Sequence, residues 1–214
     1  MIDFYTWKTP NGEKPMIMLE ECGLEYRLHM IDISAGEQKT PDYLAINPNG
    51  KIPAIVDHDG DEPVTVFESG AILLHLADKT GRFLPAKGAA RGQALSWTFF
   101  QSGGTGPMIG QWFHFSTGAP DKLPYAIERF RNEAFRLLGV LDQRLSGRDF
   151  LAGDYSIADI MNVGWIRAGL PKLKEAGAGE LPALTAWLER VDARPAVARA
   201  LEKLERAKQD KAAQ

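Results

Sequence analysis

The chain has little of what several function classes require. One cysteine, Cys22, in 214 residues excludes an internal disulfide and a thiolate metal cluster. Charge of one sign is lacking too: 25 Lys and Arg stand against 28 Asp and Glu, and a net charge of −3 argues against nonspecific attraction to nucleic acid or to an anionic membrane surface. No window approaches 18 uninterrupted apolar residues, so no transmembrane span is expected. Met1-Ile2-Asp3-Phe4-Tyr5 shows no basic segment followed by an apolar run, and a cytoplasmic protein is expected. Internal repeats and low-complexity segments are absent. What is there, 44% hydrophobic and 25% charged residues, suits a core for one large domain or two small ones and a small-molecule ligand.

Residues 2–7 are β-branched and aromatic enough for a strand, ended by the breakers Lys8-Thr9-Pro10-Asn11-Gly12. Pro15, Met18, Leu19 and Cys22 then fall at i, i+3, i+4 and i+7, one face of a helix that starts near residue 13 and stops at Gly23; Cys22 reads as a small core residue. Residues 26–33 alternate as a second strand, followed by a polar loop and a short helical turn over 42–46. In Asn47-Pro48-Asn49-Gly50-Lys51-Ile52-Pro53 a loop runs into the apolar strand 54–57. Pro53 lacks an N–H and pushes Ile52 toward an extended conformation. Two readings stay open: an ordinary strand start, or a sheet edge where the Ile52 backbone pairs with an extended peptide ahead of a cis Pro53. Residues 64–67 complete an antiparallel hairpin, and Glu68-Ser69-Gly70-Ala71 opens a third helix that stops at Gly81. Taken alone, Glu68-Ser69 reads as a plain helix cap. The order βαβ then ββα is the thioredoxin-like arrangement, a four-stranded mixed sheet over residues 1–82.

A linker over 83–88, with Pro85 and Gly88, leads into an all-helical second domain, 89–214. Its first helix carries Trp97, Phe99 and Phe100, kinks at Gly103-Gly104-Thr105-Gly106-Pro107 and resumes through Trp112, Phe113, His114 and Phe115, aromatics that fit a core or a pocket wall alike. Ile127, Phe130, Ala134, Leu137, Leu141 and Leu145 stripe a helix over 124–146, with Arg129, Arg131 and Arg136 off the stripe. Ser156 and Asp159, flanked by Tyr155 and Ile160, form a capping box with a hydrophobic staple, a folding signal.

The thioredoxin-like half, the proline-led third strand, the Glu68-Ser69 pair and the helical half together resemble a cytosolic glutathione transferase over nearly the whole chain. Thr9-Pro10-Asn11-Gly12, residues 49–57 from Asn49-Gly50-Lys51 to Asp57, Phe67-Glu68-Ser69-Gly70-Ala71-Ile72, Gly106-Pro107-Met108-Ile109-Gly110-Gln111 and Tyr125-Ala126-Ile127-Glu128-Arg129 are similar to the bacterial nu class.

The resemblance implies glutathione as cosubstrate, without a metal, its cysteinyl part paired to Ile52 ahead of a cis Pro53. The γ-glutamyl carboxylate is expected at Ser69 and the third helix's N-terminus, where the dipole favours an anion; Glu68 pairs with the ligand ammonium, and Gln38 and Lys51 serve the glycyl end and peptide groups. Thr9 and Asn11 are expected to stabilise the thiolate, in preference to Tyr5, which packs. Trp112, Phe113 and His114 are candidates for the second-substrate pocket, and the resemblance places Arg129 at glutathione from the neighbouring subunit of a homodimer. The implied activity is glutathione-dependent disulfide reduction. Transferase or peroxidase action on electrophiles or organic hydroperoxides is the alternative, and a non-catalytic protein-interaction module is a third reading.

Overall fold

Alternating Ile2, Phe4 and Thr6 bury one face of β1 (Ile2–Thr6), and β1 sits at the middle of a mixed sheet. The computed structural model, which describes residues 1–213, orders that sheet β2-β1-β3-β4, with β2 Tyr26–Met30, β3 Ala54–Asp57 and β4 Val64–Phe67. β1 runs parallel to β2 in the register Phe4↔Leu28 and antiparallel to β3 in the register Phe4↔Ile55; β3 and β4 form the hairpin. β2 stops at Met30, earlier than its alternating pattern suggests. Asp32 ends it, because its Oδ1 accepts from the Ser34 N–H at 2.8 Å and offers the backbone a turn in place of the ladder.

Helix α1 (Glu13–Cys22) begins after Gly12 and ends on Gly23 at φ 67°, the left-handed stop that the sequence anticipates. Its buried surface is wider than one face: Lys14 to Leu19 are all buried. Cys22 is half-buried in the last turn, 3.5 Å from Thr80 Oγ1, and burial pushes its thiol up. The short α2 (Pro41–Ile46) and α3 (Ser69–Thr80) complete the βαβ and ββα order. Asp57, buried at the end of β3, pins α3 to the sheet by accepting from His75 Nε2 at 2.8 Å and pairing with Lys79 at 3.0 Å.

By contact the chain falls into two compact units, Met1–Leu84 with Ala193–Gln214, and Pro85–Asp192. The second unit holds α4 (Gly88–Phe100), α5 (Gly106–Phe113), α6 (Pro124–Leu145), α7 (Ile157–Glu175) and α8 (Pro182–Asp192). The kink expected at the Gly-rich stretch is a π turn over Gln101–Thr105. The capping box at Ser156 forms, and Asp159 is fully buried. The last helix, α9 (Pro195–Ala212), packs in the first unit, whereas the sequence grouped it with the helices of 89–214. The reason is chemical: Glu21 takes Arg194 at 2.6 Å, Glu20 takes Lys203 at 2.6 Å, and Val197, Ala200 and Leu204 are buried. No helix among the described residues is long and apolar enough to cross a membrane.

Candidate active site

The turn between β1 and α1 is shaped by Gly12, where a Cβ would collide with the Trp7 carbonyl oxygen and Thr6 Oγ1. Thr9 closes it. The Thr9 carbonyl accepts from the Glu13 N–H at 3.0 Å and its Oγ1 accepts from the Gly12 N–H at 3.1 Å. An oxygen that accepts from an N–H keeps its own proton for another acceptor. Asn11 Oδ1 accepts from Lys14 Nζ at 2.8 Å.

Lys14 is 1% exposed, and its Nζ also lies 3.3 Å from the Oγ of Ser69, the buried first residue of α3. The turn carrying Thr9 and Asn11 is thereby joined to the N-terminus of α3. Burial pulls the Lys14 pKa down to about 7, against the opposite pull of the Glu68 carboxylate. Glu68, exposed at the N-cap of α3, has φ 70° and ψ 120°, a sparsely populated conformation for a residue with a Cβ, of the kind that costs about 1–3 kcal/mol and gathers at functional sites.

The loop that precedes β3 is held from within. The Lys51 carbonyl accepts from Tyr43 Oη at 2.6 Å and from Asn47 Nδ2 at 2.7 Å, while Asn47 Oδ1 accepts from the Asn49 N–H at 3.0 Å. Gly50 at φ 60° lets the loop lie against the 3-10 turn Glu37–Lys39, since a Cβ there would come within 3.1 Å of the Gln38 carbonyl oxygen. The Ile52–Pro53 peptide is cis. Gln38 donates to the Ile33 carbonyl at 3.3 Å, and its buried Oε1 has no partner among the described residues. Asn49 Nδ2 lies 3.5 Å from Glu68 Oε1, so the loop meets the α3 N-cap as well; Lys51 is exposed.

Tyr5 lies in a different setting. Its ring stacks on His29 at 4.5 Å and meets Tyr43 edge-on at 6.3 Å, with His29 bonded to Asp3 at 2.8 Å. Burial, reinforced by the Asp3 charge, raises its pKa, so the phenol stays neutral.

In the second unit the three aromatic candidates do not share one environment. Trp112 is buried in the core, Phe113 is half-buried beneath Lys172 Nζ at 5.2 Å from its centroid, and His114 is exposed, edge-on to Phe115. Arg129 is exposed on α6 and lines a cavity of about 800 Å³ with Met108, Tyr125, Glu128 and Glu133. Among the described residues no group of three or more His, Cys, Asp or Glu side chains is arranged to hold a metal ion.

The residue that the sequence pattern failed to single out is Lys14. A signal was available: Pro15 to Leu19 is an uninterrupted apolar run. A helix apolar all round is covered on all sides, and a lysine adjoining such a run is drawn in with it.

Comparison with known proteins identifies the family. Residues 9–79 match the family model for the glutathione S-transferase N-terminal domain, and residues 106–195 that for the C-terminal domain. The disulfide-bond oxidoreductase YfcG of Escherichia coli (strain K12) is 49% identical over 205 residues, covering 94% of each chain; YghU of the same organism is 43% identical over 211 residues, 92% of this chain and 73% of that one. Among solved structures, a glutathione transferase family member from Pseudomonas fluorescens pf-5 with two glutathione bound superposes with a TM-score of 0.90 at 44% identity, covering 94% of this chain and 92% of that one. A glutathione transferase from Pseudomonas putida, with one glutathione disulfide bound per subunit, gives 0.89 at 40% identity over 94% and 90%. The chain belongs to the glutathione S-transferase family.

Proposed function

We propose that this protein is a glutathione-dependent disulfide-bond reductase, with residues 1–82 as the glutathione-binding domain, 83–88 as linker and a helical part from residue 89 whose last helix, α9, returns to the first unit. The observation that carries the reading is the convergence of two helix N-termini on one buried cation. Asn11 and Ser69 lie 58 residues apart in sequence (69 − 11), yet both bond Lys14 Nζ. A tripeptide with a thiol in its middle and carboxylates at its ends suits that arrangement. Its γ-glutamyl carboxylate sits at Ser69 and the N-terminus of α3, where the helix dipole favours an anion, its ammonium at Glu68, its cysteinyl backbone along Ile52 ahead of Pro53, and its remaining peptide groups and glycyl end near Gln38 and Lys51. The YfcG name and the bound glutathione or glutathione disulfide of the two Pseudomonas structures support the same assignment.

The chemistry asked of the protein is modest. A cysteine thiol ionises near 8.5, and hydroxyl and amide donors from Thr9 and Asn11 aimed at the sulfur favour the thiolate. That thiolate attacks one sulfur of a substrate disulfide, forming a mixed disulfide and expelling the other sulfur as a thiolate. A second glutathione thiolate attacks the mixed disulfide at the glutathione sulfur, releasing glutathione disulfide and the remaining substrate thiolate. Each thiolate leaving takes up one proton from solvent, and two glutathiones are oxidised per disulfide reduced. Arg129 on the second copy of a homodimer completes the site in this proposal, and the exposed Tyr125 beside it, with Phe99 and Leu123, offers apolar surface for that association. Phe113 and His114 face the second substrate; Trp112 supports them from the core.

The test is turnover of glutathione with a small model disulfide. Steady-state production of glutathione disulfide is expected, and saturable glutathione binding with no turnover overturns the reading. Turnover confined to electrophiles or hydroperoxides assigns the transferase or peroxidase alternative.

A further inference from the structure

The proposed reaction leaves one buried charge unused. Lys14 sits at the start of α1 with almost no exposure, where an ammonium ion is costly unless something requires it. An ammonium has three donors and no acceptor. Bonded at 2.8 Å to Asn11, it dictates which end of that amide is the oxygen, and so turns the Nδ2 donor end away from itself. Bonded at 3.3 Å to Ser69, it occupies a lone pair of Oγ and leaves the hydroxyl proton to serve an acceptor elsewhere. One cation thus sets two side chains, on two different helices, as donors.

Resting on the glutathione reading above, we propose that Lys14 is a positioning residue: its buried ammonium aims Asn11 at the thiolate and Ser69 at the γ-glutamyl carboxylate, coupling the two anionic parts of one ligand. The same charge lowers the energy of both anions without touching the sulfur. Glu68, at the N-cap of α3, is the charged neighbour that acts on Lys14, and once a ligand ammonium engages Glu68 the ligand's own anions take over the task of holding Lys14 protonated. Ligand binding and proton binding at Lys14 are then linked, each favouring the other.

Calorimetry in two buffers of different ionisation enthalpy tests this on the full chain. S-Methylglutathione is the first probe because it has no thiol to ionise; glutathione is the second. Slightly above neutral pH the wild type is expected to take up a fraction of a proton on binding S-methylglutathione, and Lys14→Met is expected to lose that uptake together with about tenfold in affinity. In turnover with glutathione, Lys14→Met shifts the acid limb of the pH profile upward by about one unit, in kcat as well as in kcat/KM, because the thiol is less acidic when Asn11 is no longer aimed. Lys14→Gln, which keeps a donor and drops the charge, retains part of the affinity and none of the uptake. The unliganded Lys14→Met protein melts at the wild-type temperature or above it, since it no longer buries a charge; a mere structural pin predicts a lower one. Variants that bind both probes with wild-type affinity, proton count and pH profile overturn the role of Lys14. A wild type that binds neither probe overturns the glutathione reading itself.

Discussion

Tyr5 and Thr9 are four residues apart and have opposite surroundings. Tyr5 is packed between His29 and Tyr43 with its ionisation disfavoured, while Thr9 lies in the turn that opens α1 with a hydroxyl proton still to give. A single hydrogen bond to a charged group is worth about 1.5–3 kcal/mol, so Thr9→Ala is expected to lower kcat/KM for disulfide reduction by roughly 10- to 100-fold, with Thr9→Ser restoring most of it. Tyr5→Phe is expected to stay within about twofold of wild type. Steady-state kinetics of the three variants decide the point, and an equal loss in Tyr5→Phe and Thr9→Ala would sink it. At this scale the sequence exposed the breakers and caps, Thr9, Asn11, Glu68 and Ser69, because turn chemistry is local. It did not expose Lys14, because a lysine's usual place is outside; the apolar run that adjoins it is a weaker signal than that expectation, and the packing around α1 puts this lysine inside.

Elements were legible where their ends carry their own chemistry. Gly23 and Gly81 stop α1 and α3 in the left-handed conformation, and Ser156 and Asp159 build the capping box of α7 as their spacing implies. What the spacing could not show is how far Asp159 reaches. Its Oδ1 accepts from the Leu151 N–H at 3.0 Å and from Trp187 Nε1 at 2.8 Å, and its Oδ2 from the Ser156 N–H at 3.0 Å. One carboxylate therefore ties α7 to α8 and to the loop before it. Burial lifts its pKa to about 6 from 3.8, despite those donors. Between those two values the folded protein binds more protons than the unfolded chain, so this group's contribution to stability is fullest in acid and is lost as pH rises through about 6. Asp159→Asn puts an amide NH₂ opposite an N–H whichever way it turns, at a cost of about 1–3 kcal/mol. Urea denaturation of both proteins is expected to show that deficit at neutral pH and a larger one near pH 4.5, where the wild type has gained its proton. A deficit that does not grow toward acid would mean that Asp159 is ionised throughout.

On the scale of the whole molecule the chain leaves its first unit at Leu84 and comes back to it at Ala193. This return was not legible in the sequence. The stripe Val197, Ala200 and Leu204 announces an amphipathic helix but not its partner, and the pairing rests on Glu20 and Glu21 of α1, some 170 residues earlier. The consequence is that α1, which carries Lys14 and opens beside Thr9 and Asn11, is covered by the last helix of the chain. Full burial of a Val or Leu contributes about 1.5–3 kcal/mol, so losing Val197 and Leu204 alone removes about 3–6 kcal/mol, a large part of the 5–15 kcal/mol that holds a typical domain together. A chain ending at Asp192 is accordingly expected to unfold at a much lower urea concentration, to be cut by protease within residues 1–84 first, and to lose glutathione binding although no residue of the proposed site is missing. Leu204→Ala probes the same contact in a chain that still folds, with an expected cost of about 2–5 kcal/mol and weakened glutathione binding only near its own unfolding midpoint. If the shortened chain keeps the wild-type midpoint and still binds glutathione, α9 is an ornament on α1 and the site stands on the sheet and its two flanking helices alone.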